Sequence, residues 1–247
     1  MSVLFDMNAR ALRQIRATRL GSELFLYERA FADCLERLTL MQHRFESALL
    51  IGCKDSGWPA QLAEVADCIQ VLGPEVSFED WAPEDSAYDL VLAIGALDTV
   101  NDVPLALRLI RHAMRPGSLF LSAQSGGDTL PQLRSAMRAA DAVGGAAAAH
   151  VHPRIEASAF APLLTEAGFT NPVVDVDRVS VSYPSLDRLI GDLRAMAATN
   201  ILTARPRFVG RAARAAAIEA FAAAGNGERT TETFEIVHFA AWTAKER

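Results

Sequence analysis

A chain of 247 residues, 51% of them hydrophobic, can bury a large core, and 15 Gly with 11 Pro are too few for a low-complexity chain. A net charge of −6 and a pI near 5.4 exclude a general nucleic-acid binder, which needs a basic face against phosphate. Cys34, Cys53 and Cys68 lack any CxxC spacing and read as reduced, packed thiols, and no apolar run reaches the ~18 residues of a membrane span.

Two helices come first. Residues 8–20 place Leu12, Ile15 and Leu20 near one face, which predicts their burial. Arg10, Arg13, Arg16 and Arg19 stand there with no acid between Asp6 and Glu23, a basic first helix of a cytoplasmic protein rather than a transit peptide. The second helix, 22–40, has Ser22 as its N-cap and repeats Leu24, Tyr27, Phe31, Leu35 and Leu38 at helical spacing.

Short apolar runs then alternate with helical patterns. Strands are predicted at 47–52, 68–72, 88–94, 118–123, 173–183 and 234–243, with helices at 59–66, 103–114, 126–140 and 158–167. Buried strands alternating with helices indicate a parallel sheet covered on both faces, with ligands bound at the carboxyl ends of the strands. Helices at 185–197 and 207–224 read as a helical cover (184–228) inserted before the last strand. One domain, 1–247, accounts for the pattern, with residues 1–42 as N-terminal helices.

Candidate chemistry sits at the strand ends. Gly52-Cys53-Lys54-Asp55-Ser56-Gly57 follows the first strand, where glycines let a backbone approach a nucleotide-type cofactor. Lys54 stands where a second glycine would help. The second strand ends at Leu72 with Glu75 the nearest carboxylate, although an acid there would take the ribose hydroxyls. After Ile94, Gly95 opens a turn in which Asp98 is the best acid for general-base work, while Asp102 caps the next helix. Gly126-Gly127-Asp128-Thr129 has backbone N–H groups that could meet an anion, or an N-cap in Asp128 or Thr129. His150-Val151-His152 reads as a solvated loop rather than a metal pair, because no carboxylate lies at ligand spacing.

Several stretches taken together resemble a known family. They include Leu4-Phe5-Asp6, Asp89-Leu90-Val91, Val100-Asn101-Asp102-Val103-Pro104, Arg115-Pro116-Gly117, Gly126-Gly127-Asp128-Thr129-Leu130 and Val174-Asp175-Val176-Asp177-Arg178-Val179. This is the class I S-adenosylmethionine methyltransferase-like group that includes a mitochondrial complex I assembly factor and arginine hydroxylase with its alphaproteobacterial relatives. Malonyl-carrier-protein methyltransferases of biotin synthesis are more distantly similar.

The resemblance covers nearly the whole chain. It implies an α/β fold with a seven-stranded Rossmann-like sheet, mostly parallel with an antiparallel last strand, and helices on both faces. It also implies S-adenosylmethionine as cofactor, with Gly52, Cys53, Asp55, Ser56, Gly57, Leu72 and Gly95 around it and Asp98 or Asp128 orienting or deprotonating an acceptor. No metal site is expected.

The departures fall in the cofactor half. Leu50 and Leu72 replace family acids, and the segment before the third predicted strand shrinks to Val76–Asp85. Losing the ribose carboxylate alone costs about 1.5–3 kcal/mol. A methyltransferase is the leading reading. The alternative is an assembly factor or chaperone, non-catalytic or arginine-hydroxylase-like, that binds a respiratory-complex subunit on the same fold. Neither reading involves nucleic acid or a membrane span.

Overall fold

The computed structural model describes residues 3–21, 23–205 and 209–245, so the expected N-cap at Ser22 and the first two residues of the 207–224 helix lie outside the described residues. The helices are α1 (Met7–Leu20), α2 (Phe25–Leu40), α3 (Trp58–Leu62), α4 (Val103–Ala113), α5 (Pro131–Gly144), α6 (Ala157–Glu166), α7 (Leu186–Ala195) and α8 (Arg211–Ala223). The strands are β1 (Phe45–Ile51), β2 (Ala66–Leu72), β3 (Tyr88–Ile94), β4 (Met114–Ser125), β5 (Phe169–Tyr183) and β6 (Thr230–Thr243). They form a mixed sheet in the order β2-β1-β3-β4-β6-β5, parallel from β2 to β4, with β6 antiparallel to β4.

Six strands stand among the described residues rather than the seven that the resemblance implies. The reason is length. Residues 73–87 are all that separate β2 from β3, and a parallel crossover alone takes about a dozen residues before any further strand. The segment instead makes turns and tucks in Phe78, whose ring meets Trp81 edge-on at 5.8 Å.

The chain divides into two compact units. One comprises 25–126, 155–177 and 236–247; the other comprises 1–24, 127–154 and 178–235. In the first, β1 and β3 are continuous apolar runs because both of their faces are covered. Leu49, Ile51, Val91, Ala93 and Phe120 meet Ile110 of α4 and Phe160 of α6 on one face. On the other, the Cys34 thiol of α2 lies 3.9 Å from Nδ1 of buried His238. The Asp89 carboxylate, at the head of β3, accepts the N–H groups of Glu46 (2.8 Å) and Ser47 (2.9 Å) on β1.

The second unit packs α1 on α7 and α5 on α8. The face expected to be buried on α1 is turned outward. Leu12, Ile15 and Leu20 are exposed, and Ala9, Arg10 and Ala17 face inward. Small side chains let the helix approach its neighbour closely, and that took precedence over the larger apolar residues.

The histidine loop is also packed rather than solvated. His152 is buried, with Nε2 accepting the Ile201 N–H at 2.9 Å and the Phe5 ring edge-on at 5.4 Å. His150 pairs with Asp141 at 2.7 Å. Cys34 is buried, but Cys68 is exposed on β2 rather than packed.

Candidate functional site

The first unit gathers the carboxyl ends of β1, β2 and β3 around two glycines at which a side chain would be crowded and strained. Gly52 has φ +78°, and a Cβ there would stand 2.6 Å from the Ile94 carbonyl oxygen. Gly95 has φ +59°, and a Cβ there would stand 2.6 Å from the Tyr27 ring. Both lie in the left-handed region that favours glycine.

The turn after β1 is held from within. The N–H groups of Gly52 (2.9 Å) and Cys53 (3.2 Å) donate to the Leu72 carbonyl. Asp55 accepts the Gly57 N–H through its side chain at 2.6 Å and the Cys53 thiol through its carbonyl at 3.2 Å. Burial pushes the Cys53 thiol above its ordinary pKa. Gly52, Cys53, Asp55, Gly57 and Leu72 thus come together in one turn, to which Leu72 contributes a main-chain oxygen rather than a side chain that could hold ribose. Ser56 is exposed beside them.

A carboxylate nevertheless reaches the end of β2. Both carboxylate oxygens of Glu75 lie where a Cβ on Gly73 would stand, so the side chain folds back over the strand terminus, a placement that only glycine at 73 permits. On β3's side of the site, Asp98 accepts the Ser125 N–H at 2.7 Å, and its second oxygen stands 3.5 Å from the position of a Cβ on Gly95. Tyr27, from α2, lays its ring against Gly95, and the Lys54 ammonium stands 4.4 Å from the centre of that ring. Asp102 caps α4, accepting the Leu105 N–H at 2.8 Å.

Asp128 belongs to the other unit, where it pairs with Arg178 at 3.3 Å. Of the N–H groups expected to meet an anion, that of Asp128 turns to one of the chain's own acids, and a second acid serves the start of α5. The Asp128 N–H points to Glu235 at 3.5 Å, and buried Glu232 accepts the N–H groups of Gln132 (3.2 Å) and Leu133 (2.8 Å) at the start of α5. Neither Asp128 nor Thr129 caps α5. Thr129 exchanges hydrogen bonds with the Glu235 backbone instead. No cluster of three or more His, Cys, Asp or Glu with metal-binding geometry occurs among the described residues.

Sequence reasoning did not assign Tyr27 a place in the site. Its only signal was a position on the apolar face of α2. Lys54 was visible as a displaced glycine and Glu75 as the nearest acid to β2, but neither placement could be read without the fold.

A family model described as a methyltransferase domain matches residues 25–173. Among curated relatives, mitochondrial arginine-hydroxylase NDUFAF5 of Danio rerio is 30% identical over 214 residues, covering 85% of this chain and 62% of that protein. The Mus musculus protein of the same name is 32% identical over 168 residues, covering 66% and 49%. The malonyl-[acyl-carrier protein] O-methyltransferase of Xylella fastidiosa is 35% identical over 165 residues, covering 64% and 52%. The chain therefore spans about half to three fifths of the length of these relatives. Among solved structures, the YcgJ protein of Bacillus subtilis superposes with a TM-score of 0.54 at 10% identity, covering 87% of this chain and all of that one. Haemonchus contortus phosphoethanolamine N-methyltransferase 2 in complex with S-adenosyl-L-methionine gives 0.51 at 13%, covering 87% of this chain and 52% of that one. These two likenesses concern the fold alone.

Proposed function

The chain belongs to the methyltransferase-domain family, and from that premise we propose that it is an S-adenosylmethionine-dependent methyltransferase whose cofactor site is built from a different set of residues. The observation that carries this reading is the Glu75 carboxylate folded over Gly73 at the end of β2, which supplies the acid that Leu72 cannot. The donor set matches the cofactor in kind. Glu75 would take the ribose hydroxyls, Lys54 the amino-acid carboxylate, and Gly52 and Gly95 leave room for close approach. Bound S-adenosylmethionine supplies a methyl group already activated on a sulfonium. What remains for the chain is alignment of an acceptor, and Asp98, beside Gly95, would orient it or take its proton. Asp128 is left a structural task with Arg178.

A second reading has its own observation. The Tyr27 ring against Gly95, with Lys54 above it, fills space next to the turn that a cofactor would enter. A relative that no longer binds cofactor and works by holding a client protein, such as a respiratory-complex subunit, would keep such a plug.

Calorimetric titration with S-adenosylhomocysteine and with S-adenosylmethionine separates the two. Micromolar binding that weakens in Glu75→Gln supports the methyltransferase. No heat at millimolar ligand overturns it and leaves the client-binding protein.

A further inference from the structure

Helix α1 carries its apolar residues on the wrong side for a helix of a globular core. Leu12 (63% exposed), Ile15 (50%) and Leu20 (60%) point to solvent, while Ala9 and Ala17 make the packed face. At 100° per residue, Ile15, Arg19, Leu12, Arg16 and Leu20 fall in that order around an arc of about 140°. The stripe is therefore three exposed aliphatics with two exposed arginines set between them. No acid occurs between Asp6 and Glu23.

A second observation extends the basic character beyond α1. Arg194 is exposed in the last turn of α7, on which α1 packs. Arg13, half-buried beside the stripe, has its guanidinium held below the ordinary value, first by burial and then by the like charges of Arg16, Arg205 and Arg194. Its Nε is buried with no hydrogen-bond partner. Arg205 is paired with Asp6 at 3.0 Å, which leaves Arg13, Arg16 and Arg194 as the cations that share this region of a protein whose net charge is −6.

We propose that this stripe of α1 seats the protein peripherally on an anionic lipid surface, an inference independent of whether the methyl-donor site is active. The interleaving decides between partners. A helix that docks in a protein groove presents an unbroken apolar ridge, and Arg16 and Arg19 would break that ridge and be buried without partners. A nucleic acid has no use for three exposed aliphatics beside the cations. At a bilayer interface both kinds of side chain are accommodated at once. The aliphatics enter the acyl boundary, and the guanidinium groups extend to the phosphates.

The test is co-sedimentation of the full chain with vesicles of phosphatidylcholine containing about one third phosphatidylglycerol, and with phosphatidylcholine alone, at low and high salt. The wild type should sediment with the anionic vesicles, release at high salt and ignore the neutral ones. Arg16→Gln with Arg19→Gln should weaken binding by about 25-fold, roughly fivefold for each arginine. Leu12→Ser with Ile15→Ser should weaken it by about tenfold or more at unchanged melting temperature, because those side chains are exposed. Wild-type protein left in the supernatant with anionic vesicles overturns the proposal, as does binding indifferent to both double variants. Binding of an acidic peptide or an oligonucleotide through the same residues, without vesicle binding, would assign the stripe to a macromolecular partner instead.

Discussion

Lys54 stands over the face of Tyr27, its Nζ 4.4 Å from the ring centre, and so the turn after β1 is tied to the first turn of α2. The contact holds a cation in the turn after β1, at the place where a second glycine was expected. If that cation takes the amino-acid carboxylate of the cofactor, Lys54→Met lowers affinity for S-adenosylhomocysteine by about tenfold and leaves 5′-methylthioadenosine, which lacks the carboxylate, unchanged. Equal loss for both ligands would show that Lys54 shapes the site without pairing.

Glu75 offers the complementary variant at the ribose end. Glu75→Gln should weaken S-adenosylhomocysteine and 5′-methylthioadenosine alike, by about 10- to 100-fold, the cost of losing a hydrogen bond to a charged group. The side chain is exposed, so the melting temperature should not move. Unchanged affinity in titration calorimetry would remove Glu75 from the site.

Glu232 governs stability rather than binding. Glu232→Ala leaves the N–H groups of Gln132 and Leu133 without their acceptor at the start of α5, a loss of about 2–4 kcal/mol in chemical denaturation. Burial pushes the Glu232 carboxyl above its ordinary value, against the N–H donors that lower it. Its proton is then held more tightly in the folded chain than in the unfolded one. This contribution to stability is complete below the ordinary value of 4.5 and is lost as pH rises through the folded value. Glu232→Gln should abolish that slope.

The pH dependence from His152 has the opposite sign. Burial, then the charges of Arg154 and Arg134, lower it from 6.5 to about 3, and its Nε2 must stay unprotonated to accept the Ile201 N–H. The unfolded chain takes up a proton near 6.5 that the folded chain refuses, so stability falls as pH drops from 6.5 towards 3. Thermal melts between those limits should show the fall in the wild type and a flatter limb in His152→Gln, whose amide oxygen can still accept from Ile201.

What the sequence disclosed and what it hid divide along a physical line. The continuous apolar runs of β1 and β3, the Asp102 cap and the glycines at 52 and 95 are signalled by neighbours in the chain, and the structure keeps each of them. Glu232 serves residues about a hundred positions earlier, and His152 serves Ile201. Nothing local marks such partners. The face of α1 was misread for a related reason. Periodicity locates large apolar side chains, but Ala9 and Ala17 were the residues small enough for close packing, and no local pattern shows which surface a helix will meet. That only six strands stand among the described residues was legible in principle, because 73–87 is too short to hold a further one.

Asp89 does more than join two strands. One carboxylate grips the N–H groups of two successive residues, Glu46 and Ser47, just where the parallel ladder from Ala48↔Leu90 begins. A slip by one residue would keep most of the ladder's backbone bonds but would pull both N–H groups out of that grip and turn every side chain of β1 to the opposite face. Alignment of β1 on β3 is thus written into a side chain at the start of the pair. The loops that carry Gly52 and Gly95, at the far ends of the same two strands, inherit their relative height from that single starting mark.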